Sequence, residues 1–335
     1  MTSNVAKCIK DLMFYRQLGK LKSENTAALC LKMPTGLTRM TKVTFMGLGN
    51  MGLPMALNLA KAGHHVRGHD IVPEALRRAA AAGLAVADDS EGALADSDTA
   101  ITMLPAGADV VAAYRGKLLS AARPGTLFID CSTIDVASAN LAHSLAAAAG
   151  MRALDAPVSG GVTGATAATL TFMVGGAAED VERARPLLEA MGRRIVHCGG
   201  PGLGQAAKIC NNLILGVSMI AVCEAFVLAE RLGLTHQALF DVAAVSSGQC
   251  WALTTYCPVP GPVPTSPANQ DYRPGFAAAL MLKDLNLGQE AAATVGADTV
   301  LGRTARDLYR AFAEGGGASR DFSAIVEAIR KGSAQ

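Results

Sequence analysis

From Lys42 onward, short apolar runs alternate with stretches of helical periodicity. Such alternation is the pattern of a parallel sheet flanked by helices. It predicts strands over 42–46, 65–69, 85–87, 99–104, 126–130 and 152–155, with helices over 51–62, 73–82 and 135–149 between them. Each of these helices runs into a glycine (Gly63, Gly83, Gly150), the residue that enters the left-handed conformation without a Cβ clash and so stops a helix. Two more strands, 170–174 and 194–197, bracket a helix over 179–191, and GGPGLGQ at 199–205 then punctuates the chain. Beyond it the strand pattern stops. Residues 203–232 predict one helix of about 45 Å at 1.5 Å per residue, too long for one small core and suited to joining domains or subunits. The five prolines in 258–267 predict a loop, and helices resume over 277–295 and 302–314. The expected division is an extension over 1–40, an α/β domain over 41–202 with a doubly wound sheet, and an all-α domain over 203–331, which the long helix joins.

Composition narrows the class. A chain of 335 residues, 50% apolar and 17% charged, has enough apolar surface for two cores and too little charge for a disordered chain. The formal charge of +2 gives no electrostatic reason to expect nucleic acid or a membrane surface as partner, which leaves small molecules. No transmembrane segment is predicted, because the longest apolar stretch, 213–229, is interrupted by Glu224 and contains Gly216 and Ser218. Its apolar character nearly all round suits a homodimer or homotetramer interface. The eight cysteines (Cys8, Cys30, Cys131, Cys198, Cys210, Cys223, Cys250, Cys257) form no C-x-x-C pair and no zinc spacing, so they read as free thiols of a reducing compartment, and no metal site is expected. Residues 1–40 are basic and acid-poor, as in a mitochondrial presequence or an appended start. Bacterial cytoplasm is the expected location and the mitochondrial matrix the alternative.

Candidate chemistry begins at GLGNMG, residues 47–52, directly after the first strand and before the first helix. In that setting Gly47 permits the tight turn, Gly49 lets a pyrophosphate approach the backbone, and Gly52 lets helix pack on strand, while Leu48, Asn50 and Met51 complete the turn. The helix N-terminus then offers unpaired N–H groups to the phosphates. Asp70 ends the second strand, where a carboxylate accepts from both ribose hydroxyls and repels a 2′-phosphate. The expected cofactor is therefore NAD rather than NADP, with Arg67 and Arg77 near enough in sequence to offset part of that repulsion. This is the dinucleotide-binding pattern of a Rossmann-type domain. Strand C-termini form the ligand crevice in this topology, which places Leu104, Pro105 and Thr133 on the nicotinamide side.

Four segments resemble the β-hydroxyacid dehydrogenases: 45–64 (FMGLGNMGLPMALNLAKAGH), DAPVSGGVTGA at 155–165, GQAAKICNN at 204–212 and LMLKDLNLG at 280–288. SSGQCWALTTYCPVPG at 246–261, with the loop to Phe276, resembles the 3-hydroxyisobutyrate branch in particular. The resemblance implies that Lys208 is the general base and acid. A hydroxyl has a pKa far above 7, so loss of a hydride from its carbon needs a base within reach of the oxygen, and desolvation or crowding by Lys283 would lower the lysine's pKa. It implies substrate contact for Asn212, which lies one helical turn after Lys208 on the same face, whereas Asn211 only borders that face. The acid group of the substrate would bind at Ser159, Gly160 and Gly161, where glycines free successive backbone N–H groups. Lys283 matches a lysine near cofactor and substrate, with Asp284 as its ion-pair partner, and puts the active site in the cleft between domains. Where close relatives often carry Asn after the Leu-Pro pair this chain has Asp109, an acid unfavourable to cofactor phosphates if it points inward.

The implied reaction is NAD-dependent oxidation of 3-hydroxyisobutyrate to methylmalonate semialdehyde, a valine-degradation step with hydride passing to C4 of the nicotinamide. A tartronate or succinate semialdehyde reductase is the alternative within the same family. A non-catalytic NAD-binding sensor is the alternative outside it, and such a protein would have no need of Lys208, Asn212 and Ser159 together.

Overall fold

The computed structural model describes residues 40–332, so the extension read over 1–40, with Cys8 and Cys30, lies almost wholly outside the described residues. Within them the strands are β1 (Lys42–Met46), β2 (His65–His69), β3 (Ala85–Val86), β4 (Thr99–Thr102), β5 (Leu127–Asp130), β6 (Arg152–Asp155), β7 (Val158–Ser159), β8 (Leu170–Gly175) and β9 (Gly192–Gly199). They form one sheet in the order β3-β2-β1-β4-β5-β6-β8-β7, with β9 beside β8. The first six are parallel neighbours in the order 3-2-1-4-5-6, the doubly wound arrangement. β8 runs antiparallel to β6 and β7 and parallel to β9.

The central strands β4 and β5 are buried at every position, Thr99, Thr102 and Asp130 included, because both faces are covered. Phe45, Ile101 and Ile129 point into one core cluster while their neighbours Met46, Ala100 and Phe128 point into another. Alternation along each strand thus serves two cores. Helices α1 (Gly52–Lys61), α2 (Pro73–Ala81), α3 (Ser90–Leu94), α4 (Gly107–Ala113), α5 (Val136–Ala148), α6 (Gly161–Thr166) and α7 (Ala178–Met191) belong to this part. Gly63, Gly83 and Gly150, which close α1, α2 and α5, all have positive φ, as the sequence predicts.

Past Gly199 the chain is helical: α8 (Leu203–Arg231), α9 (His236–Ala243), α10 (Trp251–Thr254), α11 (Ala278–Val295), α12 (Val300–Phe312) and α13 (Ile325–Lys331). They enclose a third core that includes Met219, Cys223, Phe226, Met281, Leu285, Tyr309 and Phe322. By length and composition α8 is the one helix among the described residues that passes for a membrane span, yet half of its apolar window is buried inside the fold. It packs along α11, α12 and α13 and, at its start, on β8. A Cβ on Gly204 would lie 2.4 Å from the Met173 carbonyl oxygen, so the first turn of α8 sits directly on the sheet.

Several boundaries differ from the sequence reading. The strand expected over 99–104 ends at Thr102, because the Leu104 amide leaves the ladder for Ser132 Oγ (2.8 Å) and Pro105 has no N–H to give. β9 is longer than 194–197, since its pairing with β8 runs from Gly192 to Gly199. The helix expected over 302–314 spans Val300–Phe312 and passes into a wider turn over Ala313–Gly317. β7, α3, α4, α6, α9, α10 and α13 have no counterpart in the sequence reading, which is understandable for elements of eight residues or fewer with little room for periodicity.

Candidate active site

The glycine turn joins β1 to α1 at the point where the strand order reverses, which in open α/β sheets is the ligand crevice. Gly47 has φ +91°, and a Cβ there would meet the Met103 carbonyl oxygen at 2.2 Å. A Cβ on Gly52 would lie 1.8 Å from Gly47 O. Gly49 is different: nothing lies within 4 Å of its Cβ position, so its side is open. Leu53 is the first residue of the helix start whose amide finds a main-chain acceptor, Gly49 O. Among the described residues the amides of Asn50, Met51 and Gly52 have none, and Gly49 and Asn50 are exposed. Leu48 is fully buried, so only its main chain takes part. Asp70 accepts from Leu48 N (2.7 Å) and Val72 N (2.8 Å), which fixes its carboxylate beside the turn. A carboxylate has about four acceptor sites, leaving capacity for ribose hydroxyls. An open glycine face, free amides and an anchored carboxylate fit a dinucleotide.

The strand-end loops are cross-braced. Lys283 Nζ, from α11, donates to Pro105 O and Thr133 O at 2.7 Å each. The ion pair expected between Lys283 and Asp284 is not formed among the described residues: successive helical residues point in different directions, and Asp284 accepts from Asn212 Nδ2 instead (2.5 Å). Burial lowers the Lys283 pKa, against the opposing carboxylates of Asp284, Asp130 and Asp109. Asp109 itself is exposed in the first turn of α4. Arg77 is bound through Nε and Nη2 to Glu74 (2.9 and 2.6 Å), so its charge is already balanced locally.

Lys208 and Asn212 lie on α8, 8% and 2% exposed, and Asp284 at 6% faces them from α11. Hydrogen bonds among the described residues include Asn211 Nδ2 to Asn212 Oδ1 (2.9 Å) but none from Lys208 Nζ. Burial lowers the Lys208 pKa, the Asp284 carboxylate opposes that shift, and Lys283 adds to it. Asp284 is shifted upward by burial, against Lys208, Lys283 and the Asn212 bond. Burial that disfavours the ammonium raises the share of neutral amine, the form that accepts a proton, and the ammonium so formed can return it. Asp284 as partner of Asn212 and Lys208 was missed in the sequence; its only signal was its place beside Lys283.

Ser159 ends β7, where it pairs with Thr171 of β8, and Gly160 and Gly161 follow with φ +134° and +60°. Gly161 opens α6, and its Cβ position lies 3.6 Å from Gly275 O. The loop that leads to Phe276 therefore reaches this turn. Asp321 holds that loop, accepting from Tyr256 OH (2.9 Å), Gly275 N (3.0 Å) and Phe276 N (3.1 Å). Trp251 stacks on Tyr256 with ring centroids 4.9 Å apart. A separate cleft of about 670 Å³, lined in part by Asn140, His143, Arg152 and Asp180, gathers none of these residues.

Residues 42–200 match the model of the NAD-binding domain of 6-phosphogluconate dehydrogenase, and residues 202–329 that described as NAD-binding of NADP-dependent 3-hydroxyisobutyrate dehydrogenase. With the glycine turn and Lys283 bonded to the loops that follow β4 and β5, these define an NAD-binding dehydrogenase. A probable 3-hydroxyisobutyrate dehydrogenase of Mycobacterium tuberculosis is 56% identical over 291 residues, covering 87% of this chain and 98% of the relative. An NAD-dependent L-serine dehydrogenase of Pseudomonas aeruginosa is 48% identical over 288 residues, 85% of this chain and 97% of the relative. The solved structure of the Mycobacterium tuberculosis 3-hydroxyisobutyrate dehydrogenase with L-serine superimposes with a TM-score of 0.84 at 56% identity, covering 87% of this chain and 99% of that one. The chain belongs to the 3-hydroxyisobutyrate dehydrogenase family of β-hydroxyacid dehydrogenases.

Proposed function

We propose that the protein oxidises (S)-3-hydroxyisobutyrate to methylmalonate semialdehyde, as in valine breakdown, with Lys208 as the proton-transfer group. The observation that carries this reading is the dry setting of Lys208, 8% exposed, with burial lowering its pKa and Asn212 on the same helical face. NAD, when bound, accepts the hydride that leaves the carbinol carbon. Gly47 to Gly52 hold its pyrophosphate, Asp70 its ribose, and the Leu104, Pro105 and Thr133 loops, braced by Lys283, its nicotinamide side. Asp70 together with the neutralisation of Arg77 by Glu74 favours NAD over NADP.

Ser159, Gly160 and Gly161 bind the substrate carboxylate through a hydroxyl and main-chain N–H groups, and Asn212 donates to the reacting oxygen. Lys208 accepts the hydroxyl proton as the hydride departs and returns it in the reducing direction. The loop that approaches Gly161 does so through the Gly275 carbonyl, and the preference for a substrate with an apolar substituent is supported by the likeness of 246–261 to the 3-hydroxyisobutyrate branch. L-Serine is the second reading, favoured by the Pseudomonas relative and by the mycobacterial structure described with that ligand. Comparing kcat/KM for 3-hydroxyisobutyrate, L-serine, glycerate and 4-hydroxybutyrate tests the choice. The proposal expects 3-hydroxyisobutyrate to lead by at least about tenfold, the discrimination one well-placed apolar group gives; a lead for L-serine or glycerate overturns it.

A further inference from the structure

Gln205 lies one turn before Lys208 on α8 and is fully buried. Its side-chain amide spans the residue that the proposed function places against the nicotinamide: Nε2 donates to Ser132 O (2.7 Å) and Oε1 accepts from Ile134 N (3.1 Å). Thr133 is thus bracketed on both sides by one side chain, as a strand residue is bracketed by a pairing partner. Thr133 O is in turn held by Lys283 Nζ. The helix that carries Gln205 cannot slide, because Asp155 accepts from Gly202 N and Gln205 N at 2.9 Å each, and Gly204 lies against the Met173 and Asp155 carbonyls. The bracketed loop continues to its neighbour, since Ser132 Oγ accepts from Leu104 N and donates to the buried Asp130.

We propose that Gln205 is a positioning residue that fixes the register between Lys208 and the Thr133 loop, and so the placement of the base relative to the nicotinamide edge. The inference rests on Lys208 being the base and Thr133 lying beside the cofactor. Gln205 touches neither substrate nor cofactor; it acts through the loop. Its two bonds are of opposite polarity, and no other side chain of similar length both donates and accepts in this way at every pH. A hydrophobic side chain of equal length keeps the packing and loses the register. A carboxylate keeps the acceptor for Ile134 N but sets an oxygen against Ser132 O.

The test compares Gln205→Met and Gln205→Glu with the parent enzyme, on whichever hydroxy acid the parent oxidises fastest. In Gln205→Met, kcat is expected to fall at least about thirtyfold, the penalty expected for a small misplacement at a reacting centre, with KM values and NADH affinity within about threefold. The primary isotope effect with substrate deuterated at the carbinol carbon should rise. In the ligand-free protein, exchange of the Ile134 amide should quicken at least about tenfold in Gln205→Met and stay near the parent rate in Gln205→Glu. The activity of Gln205→Glu should recover toward acid pH, where the protonated carboxyl donates to Ser132 O. Parent-like kcat in Gln205→Met overturns the proposal, as does a loss seen only in NADH affinity or one that tracks the unfolded fraction in a melting curve. Lys208→Met assayed alongside separates the two readings: if it retains turnover, the assignment of the base has failed, whereas the amide-exchange result still reports on the Gln205 bracket.

Discussion

The glycine turn and the lysine cleft meet the same proposed cofactor with opposite materials. The turn is main chain: Asn50, Met51 and Gly52 offer amides, Gly49 offers open space, and Asp70, the one charged side chain, is held by two amides of the same neighbourhood. The cleft is side chain: Lys208, Asn212, Lys283 and Asp284 come from two helices, and the Asn212 and Asp284 that bond each other stand 72 residues apart. A site made of backbone is sensitive to added volume and insensitive to pH. One made of buried charges responds in the reverse way, since each depends on its neighbours in a poorly solvating interior.

Replacing the base breaks the cleft without touching the turn. In Lys208→Met, turnover in both directions should fall by about 10² to 10⁴, the usual contribution of a positioned general base, while NADH affinity by fluorescence titration stays within about threefold. Turnover close to the parent's would take Lys208 out of the mechanism. Added volume breaks the turn instead, and two neighbouring glycines separate its two roles. In Gly52→Ala the new methyl overlaps Gly47 O, so the fold should lose about 1–3 kcal/mol in chemical denaturation. In Gly49→Ala the methyl meets nothing in the chain, so stability should be unchanged while NADH binding weakens about tenfold or more, through the space a pyrophosphate needs. Equal loss of stability in both variants would mean that Gly49 serves packing.

These materials also decide what could be read from the sequence. The turn was legible because its glycines, the flanking strand and Asp70 lie within one βαβ unit, where spacing alone fixes geometry. The glycine stops after α1, α2 and α5 were legible for the same local reason. Lys208 and Asn212 could be placed on one helical face by counting, but their burial could not. Asp284 was assigned to Lys283 because sequence adjacency suggests pairing, whereas helix geometry turns neighbours apart and sends Lys283 to Pro105 O and Thr133 O. Ser159 was read as part of an anion site, and its place at the end of β7 depends on pairing with β8, a partner that no local pattern announces. Gln205 looked like punctuation in GGPGLGQ until the Ser132 and Ile134 contacts appeared.

The finest test of the contrast removes one charge from the cleft and keeps the shape. Asp284 carries the carboxylate that opposes the lowering of the Lys208 pKa, and it accepts from Asn212 at 2.5 Å. In Asp284→Asn an amide oxygen remains to accept, but the charge that favours the ammonium form is gone, so the Lys208 pKa should drop further. Oxidation needs the neutral amine and fails as pH falls through that pKa; the acid limb of kcat/KM for oxidation should therefore move to lower pH. Reduction needs the ammonium form, so its alkaline limb should move down as well. Plateau turnover should fall by about tenfold, the difference between a charge-assisted and a neutral hydrogen bond, less than in Lys208→Met. NADH binding at the glycine turn should not change, because the Asp70 bonds to Leu48 N and Val72 N involve no group on α11. Limbs that stay in place would mean that the titrating group is not Lys208 or that Asp284 does not act on it. A shift to higher pH would show that loss of the carboxylate had opened the cleft to water, restoring the solvation that burial removes.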